Sequence, residues 1–139
     1  MGKVIVTLEL TNWADEVLAE RGFIPPTEVR SHRVENALVD TGASRLCLPA
    51  DIIKNLGLKQ TATIEAQTAT GLQTLRLYEG LKLNVEGREG RYDCVELPVG
   101  QIPLLGLIPL EDLGLDPDLQ NQKLRHLHTH GKDTYHLVL

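Results

Sequence analysis

One heptapeptide constrains the fold of this chain more than any other feature of its sequence. The segment Leu38-Val39-Asp40-Thr41-Gly42-Ala43-Ser44 occurs only once. Its apolar start is typical of a buried strand, and the Thr-Gly pair that follows favours a turn. The pattern therefore predicts a carboxylate at the end of a buried strand. The alternative is an ordinary strand-to-turn junction, in which Asp, Thr and Gly are present for backbone reasons alone.

Length and composition predict one globular domain spanning residues 1–139. Of the 139 residues, 42% are hydrophobic and only 4% are aromatic, so we expect a core built from Leu, Val, Ile and Ala. The formal net charge of -5 and the lack of a basic run argue against nucleic acid as a partner. No apolar stretch reaches the length of a membrane span, so no membrane partner is expected either.

The N-terminus and the two cysteines favour a cytoplasmic protein. The first twelve residues alternate in polarity and lack the apolar block of a signal peptide. Cys47 and Cys94 lie far apart and match no metal-binding spacing. We therefore expect both to be reduced and buried, in the manner of small hydrophobic residues.

Alternation of apolar and polar residues predicts most of the strands. It is present over residues 3–10 and again over residues 75–85, with the period of a half-buried strand. The Thr-rich segment 61–74 predicts a hairpin with an exposed tip. A Gly-rich turn at residues 87–90 leads into a predicted strand over residues 92–97. The tail from residue 123 onward is expected to form two strands around residues 131–133.

Helices are expected to be few. Pro49 is suited to open a helix that ends at Gly57, and a short helical turn is predicted over residues 110–113. Asn12 is a good N-cap for another, and its neighbour Trp13 is expected to anchor the core. The chain is thus predicted to be mostly β, with one or two short helices.

A pair of buried carboxylates can carry out chemistry that a single buried carboxylate cannot. Two carboxylates in one pocket of low dielectric constant cannot both ionise, so they share a proton. One then acts as a base on a water molecule while the other, protonated, polarises a carbonyl group. Since the chain carries a single copy of the motif, a site of this kind would take its second carboxylate from a second copy of the chain.

The segment from Ala37 to Ser44 resembles the active-site motif of the retropepsin-like aspartic proteases. The similarity continues through Leu46-Cys47-Leu48-Pro49 and covers roughly residues 3–116. It implies a single-lobed acid-protease protomer, a closed β-barrel, that is active as a symmetric homodimer. It also implies an endopeptidase that hydrolyses a peptide or protein substrate, with Asp40 as the catalytic residue and no metal or cofactor.

The resemblance further implies which residues support the catalytic loop. Leu104-Leu105-Gly106 stands in the place of the second hallmark of the family, an apolar pair and a glycine that pack through the loop carrying the aspartate. Thr41 and Ser44 would support the same loop. A strand over residues 135–139 is suited to join a sheet between the two subunits.

Substrate binding is implied for two short segments. Gly42 and Ala43 follow the aspartate, and glycine lets a substrate backbone approach closely. Ala69, Thr70 and Gly71 fall where the family has its flap, the hairpin that closes over a bound peptide.

Two alternatives stay open at the level of the sequence. In the first, the same fold serves as a catalytically inactive, dimeric module that binds peptides or proteins. In the second, the chain is a monomeric β-domain that binds a metal through His126, His128 and His130, which would share one face of a strand. We expect these histidines to form a solvated or interface surface, without a metal.

Overall fold

The computed structural model describes residues 2–128, which form nine strands, three α-helices and one 3₁₀ turn. The strands are β1 (Ile5–Asn12), β2 (Ser31–Val39), β3 (Leu46–Pro49), β4 (Lys59–Thr68), β5 (Gly71–Val85), β6 (Arg88–Leu97), β7 (Leu104–Leu105), β8 (Leu115–Asp118) and β9 (Lys123–His126). The helices are α1 (Trp13–Glu20), α2 (Ala50–Leu56) and α3 (Leu107–Leu113), and the 3₁₀ turn is Pro26–Glu28. The predicted mostly β class is confirmed. The structure has three α-helices, whereas one or two were expected.

Seven strands pair in the order β1-β2-β7-β3-β6-β5-β4, and β1 also pairs with β5. Most neighbours are antiparallel, but β2–β7 and β3–β6 are parallel. Strands β8 and β9 form a separate antiparallel pair. The short β7 therefore lies between β2 and β3, which is the arrangement that later positions the candidate site.

The alternating patterns bury one face of the long strands. Val4, Val6, Leu8 and Leu10 are all buried at the N-terminal strand. On β5 the main core contains Leu81, Leu83 and Val85. A bulge between residues 78 and 81 changes the face, so the buried Leu77 belongs to a second, smaller cluster. Leucine dominates this core, as the low aromatic content predicts.

Each helix begins and ends for a local reason. The Asn12 side chain accepts a hydrogen bond from the Asp15 backbone N–H at 3.0 Å and caps α1. Helix α2 follows Pro49 and ends at Gly57, as predicted. Helix α3 begins at Leu107, earlier than expected, since backbone N–H groups of its first turn donate to carbonyls of residues 43 and 44.

The prediction that Trp13 anchors the core is wrong. Trp13 is 38% exposed, and the Arg91 guanidinium lies 4.5 Å from the centre of its ring. The buried residue of α1 is instead Asp15, which binds Arg30 through Nε at 2.7 Å and Nη2 at 3.0 Å. The helix therefore turns a charged side chain inward, because Arg30 and the Arg30 backbone N–H satisfy that carboxylate.

The first predicted strand of the tail is present as β9, where it pairs with β8. His130, the predicted strand beyond residue 130 and the interface strand over residues 135–139 lie outside the described residues. Within residues 2–128 no three or more His, Cys, Asp or Glu side chains are arranged to hold a metal ion. None of the helices in this range combines the length and apolarity that a membrane crossing requires.

Candidate active site

Strand β2 carries Asp40 to the surface of the core. The buried Val39 donates its N–H to the Val4 carbonyl at 2.9 Å, and the Asp40 N–H donates to the Leu105 carbonyl at 3.0 Å. The end of β2 is thus held on one side by Val4, just before β1, and on the other by Leu105 of β7. The Asp40 carboxylate is half-buried, at the point where the strand gives way to the loop 40–45.

The turn after Asp40 orients its side chain. The Gly42 N–H donates to Asp40 Oδ1 at 2.9 Å, and the Ala43 N–H donates to the Asp40 carbonyl at 3.1 Å. Within residues 2–128 the other oxygen, Oδ2, has no hydrogen-bond partner. The carboxylate therefore has one oxygen held by the chain and one available to another molecule.

The segment around β7 closes over this loop. Leu104 and Leu105 lie in parallel register with Leu38 and Val39 of β2, and Leu104 also pairs with Cys47 of β3. The chain then continues into α3, whose first two N–H groups bind the loop. Leu107 N donates to Ala43 O at 2.8 Å, and Ile108 N donates to Ser44 O at 2.9 Å.

Gly106 lies where this crossing is tightest. A Cβ atom at this position would lie 2.7 Å from the Ala43 carbonyl and 2.8 Å from the Arg45 backbone nitrogen, and it would also meet the Arg45 carbonyl. These neighbours are backbone atoms that cannot rotate away. Only glycine lets the two segments approach this closely.

A small apolar cluster joins the loop to the hairpin β4–β5. Cys47, Leu77 and Val95 are buried together, and the partly buried residues around them come from the loop, from β6, from β7 and from the hairpin. These surrounding residues are Ala43, Ile64, Leu75, Leu97 and Leu104. The base of the hairpin is therefore packed beside the loop that carries Asp40.

The tip of the hairpin is held by its own polar side chains. Thr68 Oγ1 donates to the Gly71 carbonyl at 2.7 Å, and Gln73 Nε2 donates to Thr70 Oγ1 at 2.7 Å. Ala69 and Thr70 are exposed, and Gly71 has a positive φ of 112°. The predicted hairpin with an exposed tip is thus confirmed.

A contact at the base of the hairpin gave no signal in the sequence. Glu96 of β6 accepts a hydrogen bond from the Tyr78 hydroxyl at 2.8 Å and pairs with Arg76 at 3.2 Å. The pairing of β5 with β6 extends only as far as Leu77 and Val95. Toward the tip beyond this point, β5 is paired only with β4, so Glu96 holds the strand near the place where the hairpin leaves the sheet.

Two of the exposed loop residues keep their side chains free within the protomer. Thr41 and Ser44 are both exposed, and no side-chain hydrogen bond to either is formed within the described part of the chain. Ser44 contributes only its backbone carbonyl, which Ile108 binds. The Thr41 hydroxyl is available to a neighbouring molecule.

The two thiols are unsuited to act as nucleophiles. Burial, together with the charge of Asp40, raises the pKa of Cys47 to about 11, and burial raises the pKa of Cys94 to about 12. Both are free and buried, as the sequence predicts. Because Cys47 belongs to the small cluster and Cys94 to the main core, their side chains lie on opposite faces of the sheet.

A family model described as aspartyl protease matches residues 26–108, more than half of the chain. The matched range contains the loop of Asp40, the hairpin β4–β5 and the glycine crossing before α3. No curated protein matches this sequence.

Proposed function

The chain belongs to a retropepsin-like aspartyl protease family, and from this premise we propose that it is an aspartic endopeptidase active as a symmetric homodimer. Each subunit contributes its one Asp40 to a shared cleft on the two-fold axis. The observation that carries the proposal is the Asp40 carboxylate itself, with Oδ1 fixed by the Gly42 N–H and Oδ2 without a partner in the described protomer.

The mechanism follows from the approach of the two carboxylates. Side by side in a cleft shielded from bulk solvent, the two Asp40 groups hold one proton between them. The charged carboxylate takes a proton from a water molecule, which attacks the carbonyl carbon of the peptide bond. The protonated carboxyl gives its proton to the carbonyl oxygen, which yields a tetrahedral diol. As the C–N bond breaks, the first carboxyl passes the proton it took from water to the amide nitrogen, and one hydroxyl of the diol returns a proton to the second carboxylate. A carboxylic acid and an amine are released, and the pair again holds one proton. The reaction requires no metal or cofactor.

The neighbouring residues have supporting roles in this proposal. The exposed Thr41 hydroxyl forms a hydrogen bond across the subunit boundary, and Ser44 with the segment 104–106 keeps the loop rigid. Gly42 and Ala43 contact the substrate backbone on one side. On the other side the hairpin tip, residues 69–71, covers the peptide.

We also propose that the main sheet is a closed barrel and that the protein is cytoplasmic. The pairing of β1 with both β2 and β5 supports the barrel, since it links the first strand to the far part of the sheet. The two unbonded, buried thiols support a reducing compartment.

The experiment is cleavage of a peptide library by the purified chain, with products identified by mass spectrometry. We expect cleavage by the unaltered protein, inhibition by a statine-type transition-state analogue, and a loss of about a thousandfold in rate for Asp40→Asn. The solution mass of both proteins should be that of a dimer.

A matched control separates loss of chemistry from loss of structure. Asp51→Asn changes an exposed carboxylate at the start of α2 and should leave cleavage unchanged. Peptides that bind to the dimer but are never cleaved would establish the inactive binding module instead. Cleavage by Asp40→Asn at the rate of the unaltered protein would refute the assigned chemistry.

A further inference from the structure

One well-formed cavity of the described protomer lies outside the candidate active site. It has a volume of about 670 Å³, within the range of ligand-binding pockets. Its lining includes Arg45 at the end of the loop 40–45 but neither Asp40 nor the residues of the hairpin tip. Catalysis as proposed above makes no use of it.

The walls of the cavity are mainly apolar and come from distant parts of the chain. Trp13 of α1, Leu46 of β3, Leu58 after α2 and Ile108 of α3 all contribute. Ile108 is 47% exposed and Trp13 is 38% exposed. Because Trp13 and Ile108 both border an open cavity, an apolar group of a ligand can cover both side chains without any rearrangement of the main core.

The charges at the rim favour an acidic group. Arg91 stacks on the Trp13 ring, and neither Arg91 nor Lys59 forms an ion pair with any residue from 2 to 128. Arg45 is 3.7 Å from Asp93, and Glu79 lies opposite Lys59 in the register of β4 and β5. Among the residues that line this cavity, the two acids thus offset two of the three cations, and Arg91 is the third. Arg91 also borders a groove that contains Glu16, Glu89 and Asp112, but these acids already bind Lys82 or the Tyr92 hydroxyl.

We propose that this cavity is a docking site for a peptide segment that carries an apolar side chain next to a carboxylate. The apolar side chain fills the space between Trp13 and Ile108, and the carboxylate binds the guanidinium of Arg91 through two parallel hydrogen bonds. Tryptophan, tyrosine and arginine are the side chains that most often dominate binding between proteins, and this cavity presents Trp13, Tyr92 and two arginines. The site is independent of the proposed peptidase chemistry.

The single tryptophan of the chain provides the readout. The Asp40→Asn variant is titrated with an acetylated and amidated tetrapeptide of two leucines between two glutamates, and Trp13 emission is recorded. The comparison peptide has glutamine in place of both glutamates. We expect saturable binding of the acidic peptide, about tenfold tighter than that of the glutamine peptide, which is typical of a charge-assisted hydrogen bond.

The variant Arg91→Leu and a matched control test whether Arg91 provides the preference for the acidic peptide. Leucine keeps an apolar stem over Trp13, so the variant should bind both peptides equally and weakly. Arg21→Leu removes another exposed arginine without an ion pair in the described chain and should retain the tenfold preference. Circular dichroism verifies that both variants are folded.

Three results would overturn the proposal. They are an emission that neither peptide changes, equal affinity of the unaltered site for the two peptides, and retention of the preference in Arg91→Leu. A change of emission with protein concentration alone would show that a second copy of the chain occupies the cavity instead. None of these outcomes bears on cleavage, because the experiment uses a variant that lacks Asp40.

Discussion

At the scale of single residues, the fold depends on close approach of backbone segments and on satisfied buried charges. Because Gly106 has no side chain, two backbone segments can lie in close contact there. Asp15 is buried because the Arg30 guanidinium binds both of its carboxylate oxygens. Neither residue touches the carboxylate of Asp40. Both can therefore be tested by folding experiments that do not involve a substrate.

Gly106→Ala should destabilise the protein and displace the loop of Asp40. The added methyl group meets backbone atoms of Ala43 and Arg45, which cannot rotate away, so we expect a loss of about 1–3 kcal/mol in the free energy of unfolding. Urea denaturation measures this change. Val99→Ala, at a side chain that is mainly exposed, should stay within about 0.5 kcal/mol. Equal stability of the two variants would show that the crossing is looser than described.

Asp15→Asn should reduce stability in a manner that depends on pH. Hydrogen bonds from Arg30 lower the pKa of Asp15 below its ordinary value of 3.8. A lowered carboxyl pKa stabilises the folded state fully above the ordinary value, and this contribution is lost as the pH falls through the lowered pKa. We expect a deficit of about 1–2 kcal/mol at pH 7 that shrinks as the pH falls below 4.

Urea midpoints at a series of pH values follow this deficit. Glu28→Gln, at an exposed carboxylate of the 3₁₀ turn without an ion pair in the described chain, is the control. A deficit that is the same at pH 7 and at pH 3 would contradict the account of the Asp15–Arg30 pair.

Residue environments were predictable where they depend on local pattern. Alternation identifies the buried face of β1, because strand side chains point to opposite sides in turn. Trp13 was misjudged because its surroundings are set by Arg91, which is distant in the sequence. Glu96 was missed for the same reason, since Tyr78 and Arg76 belong to another strand.

At the scale of elements, the residues that favour turns and helix ends predicted more of the strands and helices than composition did. The hairpin β4–β5 and helix α2 follow directly from their glycines and from Pro49. Strand β8 escaped prediction because its sequence, Leu-Asp-Pro-Asp, lacks the β-branched residues typical of strands and is defined by its pairing with β9. Helix α3 begins early because its first N–H groups find partners in the loop of Asp40.

The hairpin β4–β5 offers a test of its proposed role as a cover for the cleft. Glu96→Gln keeps a partner for the Tyr78 hydroxyl but removes the ion pair with Arg76 at the base of the hairpin. If the hairpin holds the substrate, KM should rise roughly twofold to fivefold, in keeping with a partly exposed pair, while kcat changes little.

Steady-state cleavage kinetics give the two constants separately. Glu65→Gln, on the same hairpin but without an ion pair among the described residues, serves as the control. An unchanged KM for Glu96→Gln would show that the base of the hairpin does not influence substrate binding.

At the scale of the whole molecule, the sequence predicted the fold class from period-two patterns and the family from the segment around Asp40. The crossing of β7 between two other strands could not be predicted from local pattern, since β7 has only two residues. The proposed activity also depends on assembly, because one chain carries only one Asp-Thr-Gly segment. Every catalytic role proposed above requires two Asp40 side chains in one cleft.

The most direct test of this pairing is the activity of mixed dimers. Unaltered chains are refolded together with a ninefold excess of Asp40→Asn chains, and cleavage is measured per unaltered chain. Random pairing should reduce this activity to about one tenth, since most unaltered chains then face a partner without the carboxylate. Activity per unaltered chain that does not change with the excess would show that one chain acts alone and would contradict the central claim.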